Sequence, residues 1–272
     1  ADDAMNEKSL YRLGWSLFKN NQFDPAKEAF SEQIERHPEA WLAFDGLMMV
    51  GECAFKSQQY ETALDAYEKG REFIRENDDT SQSIRDAADK QVREVILLHG
   101  GQSAAQLKRW DDAIKWYEEL KQRFPSTAYL PQLFYETGFA LQQKGDAPQA
   151  LKYFAQVAEK YRRREIGARA RFMMGEIYFG LKQFDQAIPE FQRVMLGFGG
   201  EDASEEIKNW QAKSGFEAGR CGEQLMSSAR TQSAKERARP FAIQFYQYVV
   251  GTHPGHELAT KSADRLEALK RP

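Results

Sequence analysis

The chain has 272 residues, 42% of them hydrophobic and 29% charged, a balance that supports a large buried core and excludes disorder by composition. Its 38 basic and 41 acidic residues leave a formal charge of -3, so no whole-chain field favours a nucleic-acid backbone. Cys53 and Cys221 lie far apart without metal-binding or disulfide spacing, and no apolar run approaches the roughly 18 residues that cross a bilayer.

The chain is self-similar along its length. Segments beginning at Gln22, Gln59, Arg109, Asp146, Gln183 and Ala238 each place an alanine four residues before an aromatic. The pairs are Ala26 and Phe30, Ala63 and Tyr67, Ala113 and Tyr117, Ala150 and Phe154, Ala187 and Phe191, and Ala242 and Tyr246. On a helix each pair shares one face. Twelve residues before the first five alanines stand Gly14, Gly51, Gly101, Gly138 and Gly175. Glycine and alanine at matched points on two helices are expected to let the backbones approach closely. Asp24, Glu61, Asp111 and Asp185 read as starts of second helices, with Pro25 suited to a first helical position. Pro38, Pro125 and Pro254 read as stops.

The predicted unit is therefore helix, tight turn, helix, over residues 7–40, 44–77, 81–127, 131–164, 168–200 and 207–255. An amphipathic helix over 256–270 is expected to cap the last repeat. Gly51 and Gly101 are 50 residues apart where the other intervals are 37. The excess, around 78–93, reads as a loop followed by an extended first helix. Gly219 stands 23 residues before Ala242, and the extra stretch near 227–239 reads as a surface loop.

Chemistry is harder to find. His37 and His253 directly precede Pro38 and Pro254, where another repeat carries Phe124, so a ring is expected there for packing. His253 and His256 lack a third metal ligand nearby. His99, beside Gly100 and Gly101, reads as a hydrogen-bonded core or groove histidine. No nucleophile elbow, phosphate loop, zinc-protease helix or dinucleotide fingerprint occurs. These readings give no catalytic residue, no metal and no cofactor.

The glycine, alanine and aromatic spacing with its proline stop resembles the tetratricopeptide repeat family over nearly the whole chain. The 37-residue period and the phrase Arg123 to Thr127 are similar to bacterial envelope members, such as the Tol-Pal system cell-division coordinator and outer-membrane assembly lipoproteins. The resemblance implies an all-α, right-handed α-solenoid of about six helical hairpins plus a C-terminal capping helix, one domain over 1–272. It also implies a non-catalytic scaffold in the periplasm or cell envelope, with a cytoplasmic setting as the alternative.

In that family the groove positions fall three residues before the glycine, then one and four after it. Here they are Tyr11, Trp15 and Phe18; Met48, Glu52 and Phe55; Leu98, Gln102 and Ala105; Tyr135, Phe139 and Gln142; and Phe172, Glu176 and Phe179. The aromatic and apolar members, Tyr11, Trp15, Phe18, Met48, Phe55, Tyr135, Phe139, Phe172 and Phe179, are expected to face solvent and hold a partner peptide or helix. Arg162, Arg163, Arg164, Arg169 and Arg171 are expected to steer its acidic flanks. Alternatives are self-assembly through the groove or an end repeat, and a regulatory domain of an enzyme.

Overall fold

The computed structural model describes residues 2–38, 41–76, 87–199 and 202–270. They form thirteen α-helices and fall into two compact units, Ala1–Lys144 and Gly145–Pro272. The first unit contains α1 (Asp2–Lys19), α2 (Phe23–Arg36), α3 (Trp41–Lys56), α4 (Tyr60–Glu76), α5 (Ala87–Gln106), α6 (Trp110–Arg123) and α7 (Leu130–Gln143). The second contains α8 (Ala147–Lys160), α9 (Glu165–Gly180), α10 (Phe184–Gly197), α11 (Glu205–Ser228), α12 (Gln232–Thr252) and α13 (Glu257–Lys270).

The repeated alanine and aromatic lie on the buried face of each second helix. Phe30, Tyr67, Tyr117, Phe154, Phe191 and Tyr246 are all buried, as are their six alanines. Burying one such ring contributes about 1.5–3 kcal/mol. The glycine acts differently from the expectation of close backbones. A Cβ built on Gly14 would lie 2.7 Å from the Phe30 ring, and Gly51, Gly101, Gly175 and Gly219 meet Tyr67, Tyr117, Phe191 and Tyr246 in the same way. The missing side chain is therefore space for a ring. Glycine against alanine backbone occurs in the sixth hairpin, where a Cβ on Gly222 would lie 2.8 Å from the Ala242 nitrogen.

Turns inside the hairpins share one device. Asn21, Gln58, Lys108 and Lys182 adopt φ +59°, and Gly145 adopts φ +85°. These residues recur at the spacing of the glycines. After α3, the Gln58 N–H donates to Phe55 O at 3.0 Å and the Gln59 N–H to Ala54 O at 2.8 Å, satisfying carbonyls that the helix end leaves open. The next helix starts one residue before the predicted acidic position: α2 begins at Phe23 and α6 at Trp110, with Asp24 and Asp111 in the first turn. Asp146 caps α8, its side chain accepting from the Gln149 N–H at 3.2 Å. Helices α2, α6 and α12 end two residues before Pro38, Pro125 and Pro254.

The two lengthened stretches resolve differently. Residues 77–86 lie outside the described residues, and 87–93 belong to the extended first helix α5. The stretch 227–239 is not a loop. Helix α11 runs nine residues past Gly219, whereas α1, α3, α5 and α9 run five past their glycines; α12 starts ten residues before Ala242, where three is usual. Only Ala229 to Thr231 separate them, with the Thr231 hydroxyl accepting from the Ala234 N–H at 3.2 Å. The eleven extra residues are all helical, about three turns at 3.6 residues each, which keeps the buried face in register.

Candidate functional site

The residue three before the glycine of a first helix is covered by protein to different degrees. Tyr11 packs on Phe30 at 5.9 Å and its hydroxyl donates to Asp45 of α3. Met48 and Tyr135 are buried, at 8% and 6% exposure. Phe172 sits 5.5 Å from Phe191 and 5.2 Å from Trp210 of α11. The expected exposure of Met48 and Tyr135 is therefore corrected, while Tyr11 and Phe172 are half-buried. Helical side chains lean toward the N-terminus of their helix, and in the first and fifth hairpins that brings Tyr11 and Phe172 against residues of the following first helix.

The later two positions stay half-buried and form the open part of the set. Trp15 and Phe18 lie edge to face at 5.9 Å, with Phe18 continuing to Phe23 at 5.4 Å. Phe55, Gln102, Ala105 and Phe139 line one cavity of about 440 Å³ in the first unit. Trp110, which sequence reasoning did not single out, joins them and meets Phe139 at 6.0 Å. Its signal was available: it is the first residue of a second helix, where Phe23, Tyr60 and Phe184 also place a ring. In the second unit Phe179 packs on Phe184 at 5.3 Å, with the Arg220 guanidinium 4.8 Å above its ring.

Two carboxylates stand at the position one residue after the glycine. Glu52 accepts from the Tyr67 hydroxyl at 2.6 Å and pairs with Nδ1 of His99, whose ring stacks on Phe55 at 5.5 Å. His99 is thus hydrogen-bonded, as expected from its place. Burial alone would raise the Glu52 pKa, but the bonds from His99 and Tyr67 outweigh it and hold the carboxyl below its ordinary range. Glu176 has no such partners. Its Oε1 is sealed from solvent without a hydrogen bond among the described residues. Burial first, then the nearby Glu217 charge, push it up to about 7 despite Arg220. Burial also raises Glu217, although Arg220 donates to it at 2.7 Å.

The five arginines do not gather around the aromatic set. Arg162 to Arg164 occupy the exposed turn before α9, and Arg169 lies over Trp210 at 5.8 Å and pairs with Glu165 at 3.6 Å. Arg171 pairs with Glu190 at 2.8 Å. Arg162 and Arg171 line a separate cavity that contains none of the predicted aromatic positions.

Other reactive side chains are occupied. His256 Nε2 contacts Asn209 at 2.9 Å, and His253 lies 3.3 Å from the Tyr248 hydroxyl. Cys53 and Cys221 are buried small residues, their thiols pushed up to about 12 chiefly by burial. Among the described residues no group of three or more His, Cys, Asp or Glu could hold a metal, and no helix is long and apolar enough to cross a membrane.

One family model of the tetratricopeptide repeat matches residues 11–77 and 135–203, half of the chain, and a second matches 96–127. The chain belongs to the tetratricopeptide repeat family. A search of curated proteins gives no match. Among solved structures, PilF of Pseudomonas aeruginosa aligns with a TM-score of 0.56 at 14% identity, covering 99% of this chain and 100% of PilF. MamA aligns at 0.55 and 14% identity, covering 81% and 96% of the two chains. YrrB, described as a tetratricopeptide protein with an unusual peptide-binding site, aligns at 0.51 and 17% identity, covering 88% and 99%. At these identities the likeness is one of fold. The tetratricopeptide repeat is a protein-interaction scaffold, and this chain has that scaffold.

Proposed function

We propose that the first unit holds an apolar segment of a partner protein at the cavity between Phe55 and Phe139, and that the chain is a non-catalytic adaptor. The observation that carries this reading is the convergence of Phe55, Gln102, Ala105 and Phe139, from three successive first helices, on one open cavity of about 440 Å³. Half-buried rings around a concavity favour an apolar anchor, because burying one removes apolar area from water without reordering the site. Trp15 and Phe18 extend the same kind of surface on α1. The peptide-binding site described for YrrB, on the same fold, supports the assignment. The 37-residue period and the Arg123 to Thr127 phrase support a bacterial envelope setting.

The test is affinity capture from the source cells with the intact chain and with a Phe55→Ala, Phe139→Ala double variant. The variant is expected to lose the captured partner while keeping its helical circular dichroism. Undiminished capture would overturn the site, and light scattering that rises with concentration in the intact chain but not in the variant would make the partner a second copy.

A further inference from the structure

Each unit has a cavity built around the last turns of a second helix. In the first, of about 730 Å³, Arg71, Arg75, Glu119, Arg123 and Phe124 are among the lining residues. In the second, of about 520 Å³, the lining includes Arg162, Arg171, Pro189, Arg193, Leu196 and Phe198. These are the same repeat positions. Glu119, Gln122 and Phe124 correspond to Arg193, Leu196 and Phe198, each pair equally placed after Ala113 and Ala187. Arg75 and Arg162 both stand twelve residues after their hairpin alanines, Ala63 and Ala150.

The first cavity supplies its own anion. Glu119 accepts from Arg71 at 2.7 Å, Arg75 at 2.9 Å and Arg123 at 2.9 Å. Burial would raise its pKa, but these guanidiniums hold it below the ordinary carboxylate range. In the second cavity the position of Glu119 carries Arg193. Arg162, at the place of Arg75, has no ion-pair partner among the described residues. Arg171 and Arg193 share the single carboxylate of Glu190. Arg171 and Arg193 thus have Glu190, whereas Arg162 lines the cavity with no acid of its own among the described residues. The polar Gln122 is replaced by Leu196, 72% exposed, beside the buried Phe198.

We propose that this second cavity docks an acidic segment of a partner protein, in which a glutamate or aspartate is followed closely by a leucine or phenylalanine. Its carboxylate takes the role that Glu119 plays internally in the first unit, between Arg162 and Arg193, and its apolar side chain covers Leu196. Charge complementarity sets the sign of the ligand, and the exposed leucine favours a peptide over a phosphate backbone. The site uses none of the residues of the Phe55 to Phe139 cavity, so either can fail alone.

The probe is a fluorescein-labelled peptide alternating glutamate with leucine and phenylalanine, titrated against the intact chain by fluorescence anisotropy. Arg193→Glu places a carboxylate at the position of Glu119 and is expected to weaken binding at least tenfold while the helical circular dichroism is retained. Arg162→Gln and Leu196→Gln are expected to weaken it about threefold to tenfold, and Phe55→Ala with Phe139→Ala to leave it unchanged. A control peptide with glutamine for glutamate should bind at least tenfold more weakly. The proposal is overturned if the intact chain does not bind the probe, if Arg193→Glu and Arg162→Gln bind it as well as the intact chain does, or if a single-stranded oligonucleotide of equal charge binds more tightly than the peptide.

Discussion

Glu52 and Glu176 occupy one position of the repeat and live in opposite electrostatic conditions. Each follows the glycine that admits the hairpin ring, and each meets a residue two before the glycine of a later first helix: His99 before Gly101, Glu217 before Gly219. The ring beside Glu52 is Tyr67, whose hydroxyl reaches it; the ring beside Glu176 is Phe191, which has none. One carboxylate is satisfied by two partners, and the other is crowded by a like charge. A repeat scaffold holds the backbone constant, so the difference isolates the side chains. A carboxylate at this repeat position is therefore stabilising or destabilising according to what the neighbouring hairpin supplies.

The largest break should come from Glu52→Ala. It strands the Tyr67 hydroxyl and the His99 ring, and should cost about 2–3 kcal/mol of stability at pH 7, measured by urea unfolding followed by circular dichroism. Because the Glu52 pKa is lowered in the fold, its contribution is present above the ordinary value of 4.5 and is lost as pH falls through the folded value. The penalty of the variant should shrink accordingly in acid.

Glu176→Gln should act in the other direction. Its folded pKa is raised, so the native carboxylate is most compatible with the fold below 4.5 and opposes it increasingly as pH rises toward about 7. The glutamine variant should be more stable than the native chain by about 1–2 kcal/mol at pH 8, with no gain at pH 4, since water still screens a half-buried group. Equal gains at both pH values would mean that packing, and not charge, is at issue.

Gly145→Ala gives the smallest expected effect and the control for both. Nothing lies within 4 Å of the added Cβ, but the residue adopts φ +85°. The strain should cost about 1 kcal/mol at every pH tested.

Much of this architecture can be read from spacing alone, because a ring that must be buried and a glycine that must make room for it leave fixed intervals between Gly14 and Phe30 or Gly101 and Tyr117. The turn residue could not be read from its type. Asn21, Gln58, Lys108, Gly145 and Lys182 share a backbone conformation and no side-chain chemistry. The stretch near 227–239 reads as a loop because it lengthens the interval between Gly219 and Ala242, yet its alanines, lysine, glutamate and arginines are strong helix formers. For the site, the register located Phe55, Gln102, Ala105 and Phe139, whereas Met48 and Tyr135 showed that exposure on one helix is decided by its neighbours. The pairing of Glu52 with His99 crosses two hairpins, and no single repeat contains it.

The whole-turn lengthening of α11 and α12 has a consequence for how this chain can change over generations. An insertion of about three turns leaves every buried contact phase unaltered, so the interior cannot distinguish the longer hairpin from a standard one. What it adds is a projection of roughly 6–10 Å at the hairpin tip, from four extra residues on one helix and seven on the other at 1.5 Å each. A scaffold that grows in such steps gains reach while its core stays silent, and the added tip is open to selection for surface properties alone.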